Sequence, residues 1–489
     1  MTTGAHRNST RSDRPPAVLV GVQLQGVSDE ALASSLTELG RLAGTLGLKV
    51  IGRVTQKRSG LGAPNLLGEG KLKELARFTG GRGFVPTFAP PGSRRSREQD
   101  ASPVQGEESD NPGLDKDKPL DFGSVESSGD SQKKADDEAH QDGAETKQAV
   151  TVLVDQDLSP TQMRNLEKVT GVEVLDRSTV ILSIFQRHAR TREAKIQVEI
   201  ARLVYLAPRL RETGADTERQ RGGIGGKGAG ESSLELDRRA SRDRIAELRR
   251  SLVVVQREAD TQRSRRVGSS AQTVALVGYT NAGKSRLMRG LTDDEMYVAD
   301  QLFATLDTTV RVLVPETRPR ILISDTVGFI KDLPHDLVAS FRSTLEEARD
   351  AQLHIHVLDA ADSAFRDQYN VTRQVLADIV EPDHPRLLIL NKSDLLDDAE
   401  RSKLRKEFPE AFLMSAASTT DTQTLHGLIQ TFFESTMSEA NFVIPYDKQA
   451  KVSLLHDRCR VLEERYEEDG AHIRVRAPQA VLSALQREV

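Results

Sequence analysis

Short apolar runs and longer amphipathic stretches alternate along the chain and predict strands and helices. The first series of predicted strands lies at residues 17–22, 49–54, 150–154 and 172–175. The second series lies at residues 273–277, 321–324, 387–390 and 411–414. A helix is predicted over 31–46, where leucines recur at helical spacing. Strands that alternate with helices favour parallel sheets, so each series predicts one α/β domain.

Two long amphipathic stretches separate the two series of strands. Residues 178–212 and 233–266 are both predicted to be helical, and a glycine-rich loop joins them. Two long helices joined by a loop form an antiparallel hairpin, which would be an arm between the two domains. The second helix has ten arginines against six acidic residues, and the simplest interpretation of this excess is a solvated face.

Beyond residue 440 the pattern predicts a small third unit. Residues 452–465 are predicted to be helical, residues 471–476 to form a strand, and a last helix is predicted from Pro478. These elements predict a small C-terminal α/β domain.

Composition changes this picture at two places. The 489 residues suffice for about three domains. Ser, Gly, Asp, Glu and Lys dominate the stretch from about 90 to 149, where Phe122 is the only aromatic residue. Such a segment buries too little apolar surface to offset its ordering entropy, which predicts a disordered acidic insertion in the first domain. Residues 1–16 carry arginines but no apolar stretch, which favours a frayed basic tail over an organellar presequence.

Charge and cysteine content exclude several classes of protein. The net charge is −5, so any surface for nucleic acid has to be local. The one cysteine, Cys459, excludes an intramolecular disulfide framework and a cysteine-rich metal site, and it agrees with a reducing, cytoplasmic compartment. No apolar run approaches ~18 residues, so no membrane span is predicted.

The most informative stretch is a glycine-rich turn directly after the strand at 273–277. It has the pattern G-x-x-x-x-G-K-S between a strand and a helix, as a phosphate-binding loop requires. Backbone N–H groups and the helix N-terminus would hold the phosphates, Lys284 would reach the β- and γ-phosphates, and the Ser285 hydroxyl would bind Mg²⁺. The residues of this loop are Gly278, Tyr279, Thr280, Asn281, Ala282, Gly283, Lys284 and Ser285.

Three further motifs follow at strand ends, in the order that a GTP-binding domain requires. The D-x-x-G motif would place Asp325 near the Mg²⁺ shell, through water, and the Gly328 N–H near the γ-phosphate. Asp394 could accept hydrogen bonds from the ring N–H and 2-amino group of guanine, which adenine lacks. The backbone after the last strand could meet the guanine O6. The residues of these motifs are Asp325, Thr326, Val327, Gly328, Asn391, Lys392, Ser393, Asp394, Ser415, Ala416 and Ala417.

A threonine-rich segment between the first two motifs predicts a switch that closes on Mg²⁺ and the γ-phosphate. Thr305 is the best candidate for a direct Mg²⁺ ligand, ahead of Thr308 and Thr309. No residue is assigned as a catalytic base, and Lys284, Thr305 and Gly328 are expected to support the transition state. The switch adds to the predicted GTP site Phe303, Ala304, Thr305, Leu306 and Asp307.

Four other residues bear on mechanism or leave alternatives open. Phe329 stands where Ras-like GTPases carry a water-orienting glutamine, so intrinsic hydrolysis is expected to be slow, with water positioned by backbone, metal or a partner. Asn281 is either a K⁺ ligand, as in potassium-activated GTPases such as TrmE, or a turn residue with left-handed geometry. His354 and His356 alternate along a strand and are expected to be packing positions and not metal ligands.

The glycine-rich loop of the arm also has two interpretations. It contains a formal G-x-G-x-x-G, but no strand precedes it, so a dinucleotide site is rejected. The loop is either a flexible linker or a segment that lies against a phosphate backbone. Under the second interpretation the candidate RNA contacts are Arg221, Lys227, Arg238 and Arg239.

With these motifs, the sequence resembles the HflX family of ribosome-associated GTPases. The resemblance includes the stretch GEGKLKEL at 68–75, the pair Asp176 and Arg177, residues 189–194 and 197–199, the run 222–239 and the F-A-T-L-D switch at 303–307. It covers nearly everything except the tail and the acidic insertion. The sequence departs from the family in the glycine loop, where residues 230–235 read G-E-S-S-L-E in place of G-E-T-Q-L-E.

The motifs and the resemblance imply four units. They are an N-terminal α/β domain (17–176), a helical arm (177–267), a P-loop GTPase domain with a doubly wound, mostly parallel sheet (270–436) and a small C-terminal domain (440–489). The resemblance further implies Mg²⁺ as cofactor and binding of the large ribosomal subunit and its RNA, with separation of stalled or idle ribosomes. We expect a monomer. A signalling or chaperone GTPase with a protein partner, a nucleotide-held scaffold without turnover, and acceptance of ATP stay open.

Overall fold

The protein is described by a computed structural model. The structure describes residues 14–85, 148–213, 233–268, 271–292, 302–303, 308–331, 342–377, 379–448 and 450–488. Most of the predicted acidic insertion, the glycine loop of the arm and residues 304–307 of the predicted switch lie outside these ranges.

The first domain is a four-stranded parallel sheet with helices packed against it. The strands run in the order β2-β1-β3-β4. Helix α3 follows Ser159, whose hydroxyl accepts from the Gln162 N–H while the Gln162 side chain accepts from the Ser159 N–H, so the helix start is fixed from both sides. The elements are β1 (Pro16–Leu24), α1 (Asp29–Thr45), β2 (Lys49–Arg58), α2 (Glu69–Thr79), β3 (Thr151–Val154), α3 (Pro160–Thr170) and β4 (Glu173–Asp176).

The arm consists of two helices, and a further helix precedes it. The prediction of one continuous helix over 178–212 is wrong, because α4 (Arg177–His188) ends at Ala189, whose backbone is extended, and α5 (Arg192–Thr213) begins after it. The Thr191 hydroxyl accepts from the Ala194 N–H at 3.1 Å and caps the second helix. Helix α6 (Ser233–Gly268) packs on α5 through Ile196, Ile200 and Leu248.

The GTPase domain has a six-stranded sheet in the order β10-β9-β8-β5-β7-β6, in which only β6 is antiparallel to its neighbour. This arrangement confirms the predicted fold class, a mostly parallel sheet with helices on its faces. The strands are β5 (Gln272–Gly278), β6 (Thr309–Val312), β7 (Ile321–Asp325), β8 (Leu353–Asp359), β9 (Arg386–Asn391) and β10 (Phe412–Leu413). The helices are α7 (Lys284–Thr292), α8 (Arg342–Asp350), α9 (Phe365–Ala377), α10 (Asp398–Glu407) and α11 (Thr419–Ser435).

The C-terminal domain is an antiparallel three-stranded sheet covered by two helices. The prediction of a helix over 452–465 is wrong in its second half, because the chain leaves α12 (Ala450–Arg458) and enters a strand. Glu468 and Asp469 form the turn between this strand and the next one. Gly470 begins the next strand, and its φ of 145° together with close contact to the Ile444 carbonyl requires glycine. The remaining elements are β11 (Ser438–Ile444), β12 (Arg460–Glu467), β13 (Gly470–Ala477) and α13 (Gln479–Glu488).

The first domain and the GTPase domain share one buried core. Phe185 of α4 meets Phe303 edge to face, with ring centroids 4.6 Å apart. Phe329 and Ile330, which directly follow the D-x-x-G motif, belong to the same cluster as the buried leucines of α1. The segments on which nucleotide switching is expected are therefore in contact with the N-terminal domain.

Candidate functional site

The phosphate loop lies between the end of β5 and the first turn of α7. Its backbone turns through Gly278, Asn281 and Gly283, with φ values of 153°, 60° and 98°. A Cβ at Gly283 would lie 2.2 Å from Asn391 Nδ2, so only glycine lets the two loops approach. The loop thus presents the N-terminus of a helix at the carboxyl edge of a parallel sheet, where anions bind well.

Asn281 adopts the left-handed conformation that its interpretation as a turn residue predicts. Its role as a K⁺ ligand stays a prediction. Comparing hydrolysis rates in KCl and in NaCl at equal ionic strength would test it.

Lys284 is buried beneath the phosphate loop. Its ammonium donates to the carbonyls of Gly278 and Tyr279 at 3.0 and 2.8 Å. Burial lowers the pKa of Lys284 to about 8, and the nearby Asp325 carboxylate opposes this shift. An anion such as a phosphate bound beside this buried ammonium would stabilise its charged form.

Two predicted Mg²⁺ ligands meet at the start of α7. The Ser285 hydroxyl donates to Asp325 Oδ2 at 2.7 Å, and the Asp325 side chain is fully buried at the end of β7. A hydroxyl and a carboxylate oxygen in contact are the hard donors that Mg²⁺ prefers. These two residues therefore fit the ion, while the third predicted ligand, Thr305, lies outside the described residues.

The D-x-x-G segment packs directly on the phosphate loop. A Cβ at Gly328 would lie 2.9 Å from the Thr280 Cα and 3.0 Å from the Lys284 ammonium, so no side chain fits there. The Thr280 N–H donates to the Phe329 carbonyl at 2.8 Å, and the Phe329 N–H donates to the Gly278 carbonyl at 3.1 Å. The Thr326 hydroxyl donates to the carbonyl of Leu276 at 2.7 Å, and Val327 is buried in the shared core.

The base-recognition motifs meet at the ends of β9 and β10. The Ser415 hydroxyl donates to Asp394 Oδ1 at 2.5 Å, and the Ser393 N–H donates to the Met414 carbonyl at 3.1 Å. Asp394 is exposed, so a ligand can reach its carboxylate. Lys392 has a φ of 62° and pairs with Asp359 at 2.6 Å. The Ala416 and Ala417 N–H groups are bonded to the Asn391 and Ser415 side chains.

The remaining predicted residues are only partly described. Phe303 has its ring in the shared core, where it contacts Phe185, whereas Ala304, Thr305, Leu306 and Asp307 lie outside the described residues. Arg238 and Arg239 lie on α6 of the arm, Arg238 partly exposed and Arg239 exposed, and Arg221 and Lys227 are not among the described residues. His354 and His356 are both buried on β8, as expected for packing positions.

Sequence analysis missed the link from this site to the first domain. The Tyr279 side chain leaves the phosphate loop and donates its hydroxyl proton to Glu38 of α1 at 2.6 Å. Glu38 also pairs with the buried Arg177 at the end of β4. In the sequence Glu38 is one charged residue among many on an amphipathic helix, so no local pattern marks it.

Among the described residues, no helix is long and apolar enough to cross a membrane.

Comparison with protein families gives three matches along the chain. Residues 134–186 match the family described as GTP-binding GTPase N-terminal, and residues 188–266 match the GTP-binding GTPase Middle Region. Residues 273–392 match the family described as 50S ribosome-binding GTPase.

Individual relatives are similar over most of their length. A GTPase HflX of Gluconacetobacter diazotrophicus is 49% identical over 480 residues, which cover 98% of this chain and 99% of the relative. A GTPase HflX of Caldanaerobacter subterraneus is 34% identical over 94% of this chain and 91% of the relative. The GTPase HflX of Escherichia coli is 40% identical over 68% of this chain and 78% of the relative. Among solved structures, a GTP-binding protein of Sulfolobus solfataricus in complex with GDP is 21% identical, covering 85% of this chain and 98% of that chain with a TM-score of 0.40.

Proposed function

Since the chain belongs to the HflX family of GTPases, we propose that it binds the large ribosomal subunit in its GTP form and separates stalled or idle ribosomes into subunits. It is a GTP-binding and GTP-hydrolysing enzyme. The match of residues 273–392 to the family described as 50S ribosome-binding GTPase carries the step from GTPase to ribosome factor.

We place GTP across the four motifs at the carboxyl edge of the GTPase sheet. The α7 N-terminus and Lys284 bind the phosphates, and Asp394 binds guanine. Ser285 and Asp325 would hold Mg²⁺, which would neutralise charge that develops on the phosphate oxygens during hydrolysis. The buried contact between Ser285 and Asp325 supports this placement.

Hydrolysis by the isolated protein is expected to be slow. The Phe329 side chain has no polar atom with which to orient water, and its ring is buried in the core shared with the first domain. The attacking water then depends on the backbone around Gly328 and on what a bound partner contributes. We therefore propose that ribosomal subunits stimulate turnover.

The arm supplies the proposed surface for ribosomal RNA. Helix α6 has a run of exposed arginines, which include Arg239, Arg242, Arg249 and Arg250. Exposed arginines on one helix suit the phosphate backbone, where charge and not base sequence sets the affinity. Arg244 donates hydrogen bonds to Glu199 of α5 and to Glu247 of its own helix, so it links the two arm helices.

Co-sedimentation with purified large ribosomal subunits tests the proposal. We expect pelleting with a non-hydrolysable GTP analogue and not with GDP, followed by subunit separation on a sucrose gradient. The variant R238E/R239E should bind at least about tenfold more weakly, with a shallower salt dependence. The control K403E/K406E changes the net charge equally on exposed positions of α10 and should bind normally. Absence of pelleting in both nucleotide states would instead favour a GTPase that acts on a protein partner.

A further inference from the structure

We propose that Tyr279 is a positioning residue for GTP hydrolysis, which ties the backbone after the D-x-x-G motif to Glu38 of the N-terminal domain. The proposal rests on the GTPase activity and is independent of any ribosome role. Tyr279 is the second residue of the phosphate loop, and its side chain is buried and contributes to the shared core.

The Tyr279 hydroxyl makes two hydrogen bonds, one as a donor and one as an acceptor. It donates to Glu38 Oε1 at 2.6 Å and accepts from the Lys331 backbone N–H at 2.7 Å. Burial, and then the neighbouring Glu38 carboxylate, raise the pKa of Tyr279, so the hydroxyl keeps its proton and must be the donor toward Glu38. One oxygen atom therefore joins the N-terminal domain to the segment that follows Gly328.

The backbone from Gly328 to Lys331 is held at both ends. At one end Phe329 exchanges two hydrogen bonds with the phosphate loop, through Gly278 and Thr280. At the other end the Lys331 N–H is held by Tyr279, and the Lys331 carbonyl lies 3.4 Å from the Arg177 guanidinium. Because the fixed points lie on either side of Ile330, the hydroxyl limits how far this short segment can shift.

Glu38 is itself fixed and not a mobile surface carboxylate. Its second oxygen pairs with Arg177, whose side chain is only 3% exposed. Arg177 also pairs with Asp155 at the end of β3, at 2.9 Å. A buried network of charged side chains thus holds the Tyr279 hydroxyl in a fixed position relative to the sheet of the first domain.

The chemical consequence follows from Phe329. Since this side chain cannot orient water, the attacking water has to be placed by groups that include the backbone of residues 328–331. Small displacements of a reacting group cost large factors in rate. Losing the hydrogen bond that anchors this backbone should slow the chemical step by about five- to tenfold. Nucleotide affinity should not change, because the side chain is buried in the shared core.

The test is single-turnover GTP hydrolysis at saturating GTP and Mg²⁺ without ribosomes, together with the Kd for a fluorescent GDP. We expect Tyr279→Phe to lower the rate constant about five- to tenfold with an unchanged Kd. Glu38→Ala should lower the rate less, since Lys331 keeps its bond to Tyr279. The double variant should be no slower than Tyr279→Phe alone, because Glu38 acts through the hydroxyl.

Arg41→Ala is the matched control. Arg41 of α1 is half exposed and pairs at 3.1 Å with Asp362, which lies between β8 and α9 of the GTPase domain. This variant loosens the contact but should hydrolyse GTP normally. An unchanged rate in Tyr279→Phe, an equal loss in Arg41→Ala, or additive losses in the double variant would each overturn the proposal. Thermal unfolding of every variant identifies a rate loss that comes from misfolding, and the phenylalanine variant, which keeps the ring, should stay folded at the assay temperature.

Discussion

The side-chain amide of Asn391 donates a hydrogen bond to the carbonyl of Ala282 at 2.8 Å, although 109 residues separate the two in the chain. The Asn391 Oδ1 in turn accepts from the Ala416 N–H at 2.8 Å. One buried side chain therefore sets the distance between the phosphate loop and the loops that face the base.

Replacing Asn391 with alanine should weaken GDP and GTP binding by tenfold or more. The substitution leaves the buried Ala282 carbonyl and Ala416 N–H without this partner, at a cost of about 1–3 kcal/mol. Titration with a fluorescent guanine nucleotide measures the effect. The control is Leu395→Ala in the neighbouring turn. The Leu395 side chain is 66% exposed, so its loss should not change nucleotide affinity. Equal affinities for both variants would contradict the bridging role of Asn391.

Replacing Asp394 with alanine should abolish the preference for guanine. We expect GTP affinity to fall by about a hundredfold, because two hydrogen bonds to a charged acceptor are lost. Affinity for ATP should stay within a factor of a few. Competition of GTP and ATP against a fluorescent nucleotide gives the ratio directly. Retention of guanine preference in this variant would mean that the backbone of 415–417 discriminates between the bases.

Nucleotide affinity should fall as the pH rises from 7 to 9. Burial lowers the pKa of Lys284 in the free protein to about 8, and bound phosphates favour the charged ammonium. Above pH 8, binding then requires uptake of a proton, which weakens it by up to about tenfold per pH unit. Arginine keeps its charge over this range, so the affinity of Lys284→Arg should be nearly flat from pH 7 to 9. A wild-type Kd that is constant over the same range would contradict the prediction.

The GTPase domain should lose stability in mild acid. Burial lowers the pKa of His354 to about 4 and that of His356 to about 3, so both are neutral in the folded protein. In the unfolded chain they titrate near their ordinary pKa of about 6.5. Their contribution to stability is therefore complete above pH 6.5 and decreases as the pH falls toward 4, by up to about 1.4 kcal/mol per pH unit for each ring.

Urea unfolding at pH 7 and at pH 5 measures this loss. The His356 Nδ1 atom is buried and has no hydrogen-bond partner among the residues that the structure describes, so His356→Leu should reduce the difference between the two pH values. His456→Leu, which changes an exposed histidine of the C-terminal domain, should leave it as in the wild type. A pH difference that persists in full in His356→Leu would show that other groups cause it.

Local sequence patterns predict the parts of the site that lie on consecutive residues. Gly278 to Ser285, Asp325 and Asn391 each follow a buried strand, and parallel strands bring their carboxyl ends together. The hydrophobic pattern predicts the ends of helices and strands less reliably where an end depends on a single turn. Helical periodicity predicts neither the helix break at Ala189 nor the hairpin before Gly470. The pair Asp469 and Gly470 is nevertheless a hairpin signal.

Contacts between distant segments could not be predicted from sequence. Glu38, Arg177, Tyr279 and Lys331 meet only because α1 and α4 pack on the phosphate loop, and nothing in the spacing of these residues encodes that meeting. Such side chains differ from solvated charges only in their burial, which is a property of the folded chain.

The core shared by the two domains also has a consequence for synthesis. Phe185 is made well before its partners Phe303 and Phe329, so the part of the apolar surface of α1 and α4 that packs on the GTPase domain is uncovered while the intervening residues are translated. At about 5–20 residues per second this interval lasts roughly six to thirty seconds. During that time the nascent N-terminal domain exposes apolar surface to water, and such exposure favours aggregation.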